Sequence, residues 1–512
     1  MAEKKRLWES WPAITLVALA LRLVAMCFLY THTWNAFRDH LLFGFEIGRI
    51  SRSLAEGHGY GNPVLIETGP TAWMTPVYPY LLAGVFKLFG IYSRTSAFVI
   101  LGFNSLFSAL ICIPMFFLAR RSFGRGVAIV ACWMWALFPY SIYIASSFVW
   151  ETCLSALWLT VLFAWTLKLK KHHGRWEWLG FGALWGLSTL TNAAVLSLLP
   201  FLAGWALYPL WQNRRKWIAR AALVTLGLGI VLLPWQVRNY QAFHRFIPLR
   251  DTLWLAAWVG NDGYTESWSD AMAHPSVSDK EMAEFVRLGE IPYMQEKQRD
   301  VLGFLARHPG FYFVMCVRRF VYTWTAFWNL DPRNLEIELH DPANVFLTMP
   351  LTVLMLVGLS KALRTAREAT LPYLFMLVFY PMLFYLTTAE IRYRHLIDPE
   401  VVILAAMGAR FLFLEAKGVL WTTSRGTPAR GAPGLLASCQ AARRQRACKG
   451  SPMNIKTKIQ EESAVSSLAG EAGGRLSRLR PAGELARVLS RVLQAAEACA
   501  ASRPYRAGHG EA

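Results

Sequence analysis

The sequence predicts an all-α polytopic membrane protein with about ten transmembrane helices, together with interfacial helices in the first and the long outer loops. Composition is the first observation behind this prediction: 54% of the 512 residues are hydrophobic, 14% are aromatic, and the mean hydropathy is +0.30. A chain of this length with such a composition is too apolar for water. The second observation is a series of apolar runs of ~20 residues, the length that crosses ~30 Å of hydrocarbon.

Ten apolar runs are long enough to be predicted as spans. The first, residues 12–30, follows Lys4, Lys5 and Arg6 and lacks the small-residue cleavage signature of a removed signal peptide. The others are residues 95–118, 126–146, 150–168, 177–192, 194–211, 218–236, 343–361, 370–387 and 398–415.

Two further apolar stretches are predicted to lie in the membrane interface instead. The stretch 77–91 is short for a membrane span and contains Lys87. Residues 311–328 carry adjacent Arg318 and Arg319, each of which would cost roughly 2.5–3.5 kcal/mol at the bilayer centre. Neither stretch is therefore counted among the spans.

The distribution of Lys and Arg orients the spans, because short cytoplasmic loops carry an excess of these residues. With ten spans and a cytoplasmic N-terminus, four basic clusters between spans are cytoplasmic, whereas an extra span at 77–91 would move the first three of them outside. The clusters lie at residues 120–125, 168–175, 214–220 and 361–367. The opposite face then holds residues 31–94, 237–342 and 388–397 and the loop tips at Glu151 and at Thr191–Asn192.

This topology divides the chain into a cytoplasmic N-terminus (1–11), a membrane domain (12–415) and a tail (416–512). The tail lacks apolar runs and is rich in Ala, Arg, Gly and Ser, so it is predicted to be disordered and cytoplasmic. Its residues 483–500 space their apolar side chains as an amphipathic helix, which would either dock on anionic lipid or remain solvated.

Charge and cysteine content exclude two other classes of protein. The formal net charge is +20, but Lys and Arg are spread over loops and tail rather than gathered on one soluble module, which argues against nucleic-acid binding. The 8 Cys include no CxxC and no Cys/His metal spacing. We therefore expect neither a disulfide framework nor structural zinc.

Two carboxylates on the outer face are candidate site residues. Glu46 lies where Phe43, Ile47 and Ile50 recur at helical spacing, which predicts an interfacial helix anchored in lipid. Glu151 lies at the outer mouth of a span, where an unpaired carboxylate is costly and marks a site by default. Simpler interpretations stay open: a solvated polar face for Glu46, and a helix N-terminal residue favoured by the helix dipole for Glu151.

Basic residues also concentrate on the outer face, against the usual topological trend. Arg side chains suit planar, bidentate capture of a phosphate, so an anionic ligand would explain them. They follow two spans, as Arg238, His244, Arg245 and Arg250 after the seventh and as Arg392, Arg394 and His395 after the ninth.

Carboxylates, Arg and aromatic side chains on one face fit a lipid-phosphate-linked sugar, for which a base activates an acceptor hydroxyl while cations hold the departing phosphate. The alternative is a lipid-linked glycan flippase or a solute transporter, which should show charged residues near mid-span and inverted repeats. The predicted spans are nearly free of charge, which favours the enzyme. A non-catalytic scaffold is a third hypothesis.

The order of these elements resembles the C-type glycosyltransferase superfamily, which includes protein O-mannosyltransferases and lipid A aminoarabinose transferases and uses polyprenyl-phosphate sugars as donors. The resemblance covers the membrane domain and leaves the tail unmatched. The matching segments are AEGHGYGNP (55–63), TPVYPYLLAGVFKLFG (75–90), PWQVRNY (234–240), ARHPGFYF (306–313) and RYRHLIDP (392–399).

The resemblance implies an inverting glycosyltransferase in a bacterial inner membrane, with its active site facing the periplasm and a lipid, glycan or protein as acceptor. The first-loop acid of the family is the catalytic base and matches Glu46. Asp39 is an alternative, because the common Asp-Glu pair is absent here. Glu151 matches a second acid in the outer cavity.

The resemblance also suggests which residues contact the substrates. No redox cofactor is implied, because polyprenyl phosphate is already a good leaving group, and a divalent cation is compatible with the reaction. The candidate donor-phosphate ligands are Arg392, Arg394 and Arg238, and the candidate substrate-binding residues are Tyr78, His395 and Tyr240.

Overall fold

The computed structural model describes residues 7–32, 43–170, 174–261, 273–326 and 344–424. Regular secondary structure within these ranges is helical, apart from an isolated bridge between Gly61 and Pro70. The predicted all-α class is confirmed. Met1–Ala416 forms one compact unit, and Lys417–Ala512 forms a second, most of which, including residues 483–500, lies outside the described residues.

Most of the helices follow one another with short connections, and the longer connections between described helices are 33–45, 57–76, 260–278 and 326–344. In chain order, the first are α1 (Trp11–His32), α2 (Glu46–Glu56), α3 (Val77–Phe89), α4 (Arg94–Leu110), α5 (Cys112–Phe123), α6 (Arg125–Leu137), α7 (Pro139–Ser147), α8 (Thr152–Leu169), α9 (Arg175–Thr191) and α10 (Leu199–Leu207). They are followed by α11 (Arg214–Phe243), α12 (Leu253–Val259), α13 (Asp279–Leu288), α14 (Glu290–Arg307), α15 (Pro309–Thr325), α16 (Val345–Thr365), α17 (Arg367–Leu386), α18 (Ile391–Arg394) and α19 (Asp398–Ser424).

Seven described helical segments are long and apolar enough to cross a membrane, and an eighth span results if α6 and α7, bent by 49°, count as one. Each coincides with a span predicted from the sequence, with α4 and α5 running together as Arg94–Phe123. The two other predicted spans are helical as well. Of these, α9 has 17 residues and α19 carries Asp398 and Glu400 in its first turn.

Helices α9 and α11 lie side by side at close range because glycines of α9 face the contact. A Cβ added at Gly182 would lie 2.1 Å from the carbonyl oxygen of Val224, and one at Gly186 would lie 2.7 Å from the Cβ of Val231. Small residues permit such close approach of helices within membranes. Residue numbers increase together along both helices, so α9 and α11 are parallel and begin at the same end of the bundle.

A charged side chain lies in the middle of α1, although the spans had been predicted to be nearly free of charge. Arg22 is completely buried and donates hydrogen bonds to Ser108 Oγ (2.8 Å), Ser141 Oγ (2.9 Å) and the carbonyl oxygens of Trp135 (3.1 Å) and Ala136 (3.4 Å). Both carbonyls belong to the last turn of α6, where the helical ladder ends; that of Trp135 also accepts from the Phe138 N–H (3.4 Å) and the Ser141 hydroxyl (3.0 Å). Arg22 therefore caps a broken helix.

The paired arginines predicted to keep residues 311–328 out of the bilayer lie on α15. Arg319 is buried and donates to the Gly260 carbonyl, to Asn261 Oδ1 (3.1 Å) and to the Tyr385 carbonyl (3.3 Å). Gly260 and Tyr385 lie at the C-terminal ends of α12 and α17, where the helix dipole favours a cation. Among the described residues, carbonyl and amide oxygens rather than a carboxylate stabilise this buried charge.

Helix α2 confirms the helix predicted for the first outer loop and ends at Gly57, whose φ of 90° suits glycine. The apolar face of α2 is covered by protein rather than by lipid. Phe43, Ile47 and Ile50 are buried, and Phe43 packs edge-on against Phe86 of α3 with ring centroids 5.4 Å apart. Periodicity revealed this face, but the sequence could not say what covers it.

Candidate active site

Glu46 is the first residue of α2, and the chain just before it packs against the turn that leads into α8. Gly44 has a φ of 76°, and a Cβ there would lie 2.3 Å from the Val149 carbonyl oxygen. Phe45 also has a positive φ, 47°, a strained conformation for a residue with a side chain. The chain therefore enters α2 by a fixed path, with Gly44, two residues before Glu46, packed against Val149 and Trp150.

His274 contacts Glu46, with Nε2 3.4 Å from Oε1. Its Nδ1 accepts a hydrogen bond from the Ser276 backbone N–H (3.1 Å), which places the ring proton on Nε2, facing the carboxylate. Burial lowers the pKa of His274, so the imidazole is neutral near pH 7. His274 therefore orients Glu46 without neutralising it. Sequence reasoning missed this residue, since no local pattern distinguishes an isolated His in a long loop.

Glu151 directly precedes α8 and is buried. Its Oε1 accepts a hydrogen bond from Asn192 Nδ2 (3.1 Å), and Oε2 is buried without a hydrogen-bond partner among the described residues. Burial raises the pKa of Glu151, while Arg392 and Arg250 lie close enough to oppose that increase electrostatically. The carboxylate therefore lies between two cations from different outer segments.

The two arginines facing Glu151 are held by neighbouring side chains. The Arg392 guanidinium lies 4.0 Å from the centre of the Trp150 ring, and its Nε lies 2.7 Å from Glu390 Oε2. Arg250 is exposed and donates from Nε to Thr252 Oγ1 (2.6 Å). Two guanidinium groups near the same side chain can bind a phosphate, which takes parallel N–H hydrogen bonds.

Arg394 and His395 are directed away from Glu151 into the bundle. Both are buried and share Asp398: Arg394 Nε donates to Oδ1 (2.8 Å), and His395 Nδ1 lies 3.0 Å from Oδ2. The His395 ring also stacks on Trp135 with centroids 5.3 Å apart. These contacts favour Arg392 over Arg394 as a phosphate ligand and give Arg394 and His395 a role in ordering the loop.

Arg238 clamps the first outer loop. Its Nη1 donates to the Thr71 carbonyl (2.6 Å), its Nη2 donates to the Tyr60 carbonyl, and its guanidinium lies 5.1 Å from the Trp235 ring centre. Backbone carbonyls thus occupy both ends of the guanidinium group. This geometry favours a positioning role over the predicted role of phosphate ligand.

The remaining candidates differ in accessibility. Tyr78 is buried and donates to Asn104 Oδ1 (3.0 Å), so it lies beneath the site rather than on its surface. Tyr240 is 58% exposed on the last turns of α11. Asp39, the alternative base, lies outside the described residues.

A pair of acids joins the first outer loop to the long outer segment. Glu290 accepts hydrogen bonds from the Ala72 N–H (2.6 Å) and from the Thr71 hydroxyl. Burial, reinforced by nearby Asp251, raises the pKa of Glu290 well above its usual value. Burial likewise raises the pKa of Asp251 to about 6. Close carboxyls of this kind share a proton rather than ionise together.

This acid pair should make stability depend on pH. An acid with a raised folded-state pKa stabilises the protein fully below its unfolded pKa, and that stability is lost as the pH rises through the folded-state value. For Asp251 the window runs from 3.8 to about 6, and the loss amounts to roughly 3 kcal/mol. In detergent, the melting temperature should fall across this window for wild type and much less for Asp251→Asn. Equal slopes in both proteins would contradict the assignment.

Residues 73–237 match the family model described as dolichyl-phosphate-mannose-protein mannosyltransferase. The match begins within the first outer loop, includes Glu151 and Asn192, and ends just before Arg238, which contacts that loop. Protein mannosyltransferases are members of the superfamily that the sequence resembles. These 165 residues, about a third of the chain, are similar to members of the C-type glycosyltransferase superfamily. No curated protein sequence matches it significantly.

Solved structures similar to this chain include the oligosaccharyltransferase AglB from Archaeoglobus fulgidus with an inhibitory peptide and a dolichol-phosphate, at 13% identity and a TM-score of 0.47 over 84% of this chain and 54% of that one. The same archaeal enzyme with Zn and sulfate is 14% identical, with a TM-score of 0.48, over 79% of this chain and 49% of that one. ArnT from Cupriavidus metallidurans bound to undecaprenyl phosphate is 17% identical, with a TM-score of 0.35, over 79% of this chain and 78% of that one. The chain spans about half the length of the archaeal enzyme, and these overlaps are too loose to transfer residue roles.

Proposed function

We propose that this protein transfers one sugar from a polyprenyl-phosphate donor to an acceptor hydroxyl on the outer face of a bacterial inner membrane, with inversion at the anomeric carbon. The observation that carries the proposal is the placement of two arginines, Arg392 and Arg250, near the buried Glu151. The chain that leads into α2 and Glu46 packs against the same turn, with Gly44 close to the Val149 carbonyl oxygen.

Glu46 is the general base in this mechanism. Its carboxylate is oriented by the Nε2–H of His274 and keeps a second oxygen for the acceptor hydroxyl. The acceptor oxygen forms a bond to the anomeric carbon while the bond from that carbon to the phosphate oxygen breaks. The acceptor proton passes to Glu46, and the electron pair of the broken bond remains on the phosphate.

Arg392 and Arg250 bind the departing phosphate. Their guanidinium groups come from different outer segments and lie near the same carboxylate, Glu151, so one doubly charged phosphate can contact both while Arg392 keeps its ion pair with Glu390. The aromatic Trp150, 4.0 Å from Arg392, restricts the orientation of that guanidinium. The acceptor enters from the side of the long outer segment, which supplies His274.

Polyprenyl-phosphate sugars in cells provide a direct test. Radiolabelled lipid extracts from cells without this protein should accumulate one polyprenyl-phosphate sugar on thin-layer plates, and wild type should remove it. Arg392→Gln should reduce transfer by roughly 10²-fold, the cost of losing one charge-stabilising donor, and so leave the lipid in place.

The matched control is Arg245→Gln, because Arg245 is an exposed arginine of the same outer face and is not part of the arginine pair. It should restore normal lipid levels. Clearance of the donor by Arg392→Gln at the wild-type rate would exclude Arg392 from the site. If no polyprenyl-phosphate sugar accumulates without the protein, the transferase proposal fails and the flippase or transporter alternative is favoured.

A further inference from the structure

A second charged site lies at the opposite ends of the helices that lead to the outer face. Where the parallel helices α9 and α11 begin, the surface forms a groove of about 490 Å³. Four cationic side chains line it, Arg175 from α9 and Arg215, Lys216 and Arg220 from α11.

These four cations lack carboxylate partners among the described residues. Glu177, close to Arg175 in sequence, is bound instead to Lys168 (2.6 Å), and the first turn of α11 contains no acid. The positive ends of two helix dipoles also meet at this point, which makes the concentration of cations unfavourable in isolation. A bound anion would stabilise both the side chains and the helix ends.

The same groove continues along an apolar wall. Leu223 and Leu226 also line it, and at 1.5 Å per residue Leu226 lies ~16 Å along α11 from Arg215. Leu226 is 54% exposed, so this wall is open to the surroundings of the bundle. A cationic end joined to an apolar path of this length matches a phospholipid, with its charged head and acyl chain, better than it matches a free anion.

We propose that this groove binds an anionic phospholipid from the leaflet in which α9 and α11 begin, with its phosphate among the four cations and one acyl chain along Leu223 and Leu226. The site is independent of sugar transfer. Its occupant would hold together the parallel pair whose other ends carry Asn192 and Arg238.

Native mass spectrometry of the full chain, delipidated in detergent and titrated with phosphatidylglycerol or phosphatidylcholine, tests the proposal. Wild type should retain one phosphatidylglycerol in preference to phosphatidylcholine. The double variant Arg215→Gln/Arg220→Gln should bind phosphatidylglycerol at least tenfold more weakly. Leu226→Gln should weaken binding of the lipid without changing binding of inorganic phosphate.

The matched control is Arg120→Gln/Arg121→Gln, which removes two exposed arginines at the C-terminal end of α5. It should bind phosphatidylglycerol as wild type does. Equal weakening in both double variants, or no weakening in the groove variant, overturns the site. Displacement of the lipid by equimolar inorganic phosphate, with Leu226→Gln unchanged, overturns the phospholipid as occupant.

Discussion

Replacing Glu46 by Gln should reduce sugar transfer by ~10²–10⁴-fold, the range for loss of a general base, while binding of the polyprenyl-phosphate donor survives. Gln keeps the shape of the side chain and can still accept the hydrogen bond of His274, but it cannot take the acceptor proton. Single-turnover transfer and donor affinity, measured on the same purified protein, separate the two effects.

Two further substitutions decide which carboxylate is the base. Glu151→Gln keeps the acceptor for the Asn192 hydrogen bond, and its turnover should remain within about tenfold of wild type, as expected for a residue acting through others. Asp39→Asn covers the alternative base. Near-normal turnover in Glu46→Gln together with inactivity in either of the other variants would assign the base to that acid.

Replacing Arg22 by Leu should produce the largest loss of stability of any substitution in the spans. Each buried carbonyl or hydroxyl left without its donor costs about 1–3 kcal/mol, and Arg22 serves several at the bend between α6 and α7. We expect a loss of roughly 3 kcal/mol or more in the free energy of unfolding, measured by denaturant titration in mixed micelles.

Arg94→Leu is the control for Arg22, because Arg94 is an exposed arginine at the start of α4. It should change the stability by less than about 0.5 kcal/mol. Arg22→Lys should fall between the two, since one ammonium group cannot reach all the acceptors of a guanidinium. Wild-type stability in Arg22→Leu would show that water or backbone rearrangement satisfies the bend.

The helices and the outer-face acids could be predicted from sequence because both depend on local patterns. Apolar run length located the helices, and the spacing of Phe43, Ile47 and Ile50 located α2. Hydropathy averaging concealed Arg22, however, because one cation in 22 residues hardly changes the mean. Ser108 and Ser141, which offset the cost of burying the Arg22 guanidinium, lie 86 and 119 residues away in the chain.

The different contacts of the two arginines in RYRHLIDP could not be predicted for a similar reason. Arg392 and Arg394 are two residues apart, and either could have faced a phosphate. Our choice of Arg392 depends on Asp398, which binds Arg394, and on Trp150, which packs against Arg392. Arg250 appeared in the sequence only as one of several outer basic residues, and its proximity to Glu151 is a property of the tertiary fold.

The contacts of Trp135 imply an order in which parts of the membrane domain assemble during synthesis. One side chain contacts both ends of the membrane domain, with Arg22 5.9 Å from its ring centre and His395 stacked on it. Arg22 acquires all its partners once Ser141 has been synthesised, whereas His395 follows about 250 residues later, or roughly 10–50 s at 5–20 residues per second. The amino-terminal helices must therefore persist in the membrane during that interval with one face of Trp135 unoccupied. Completion of the loop that carries Arg392 is then among the last steps of biogenesis.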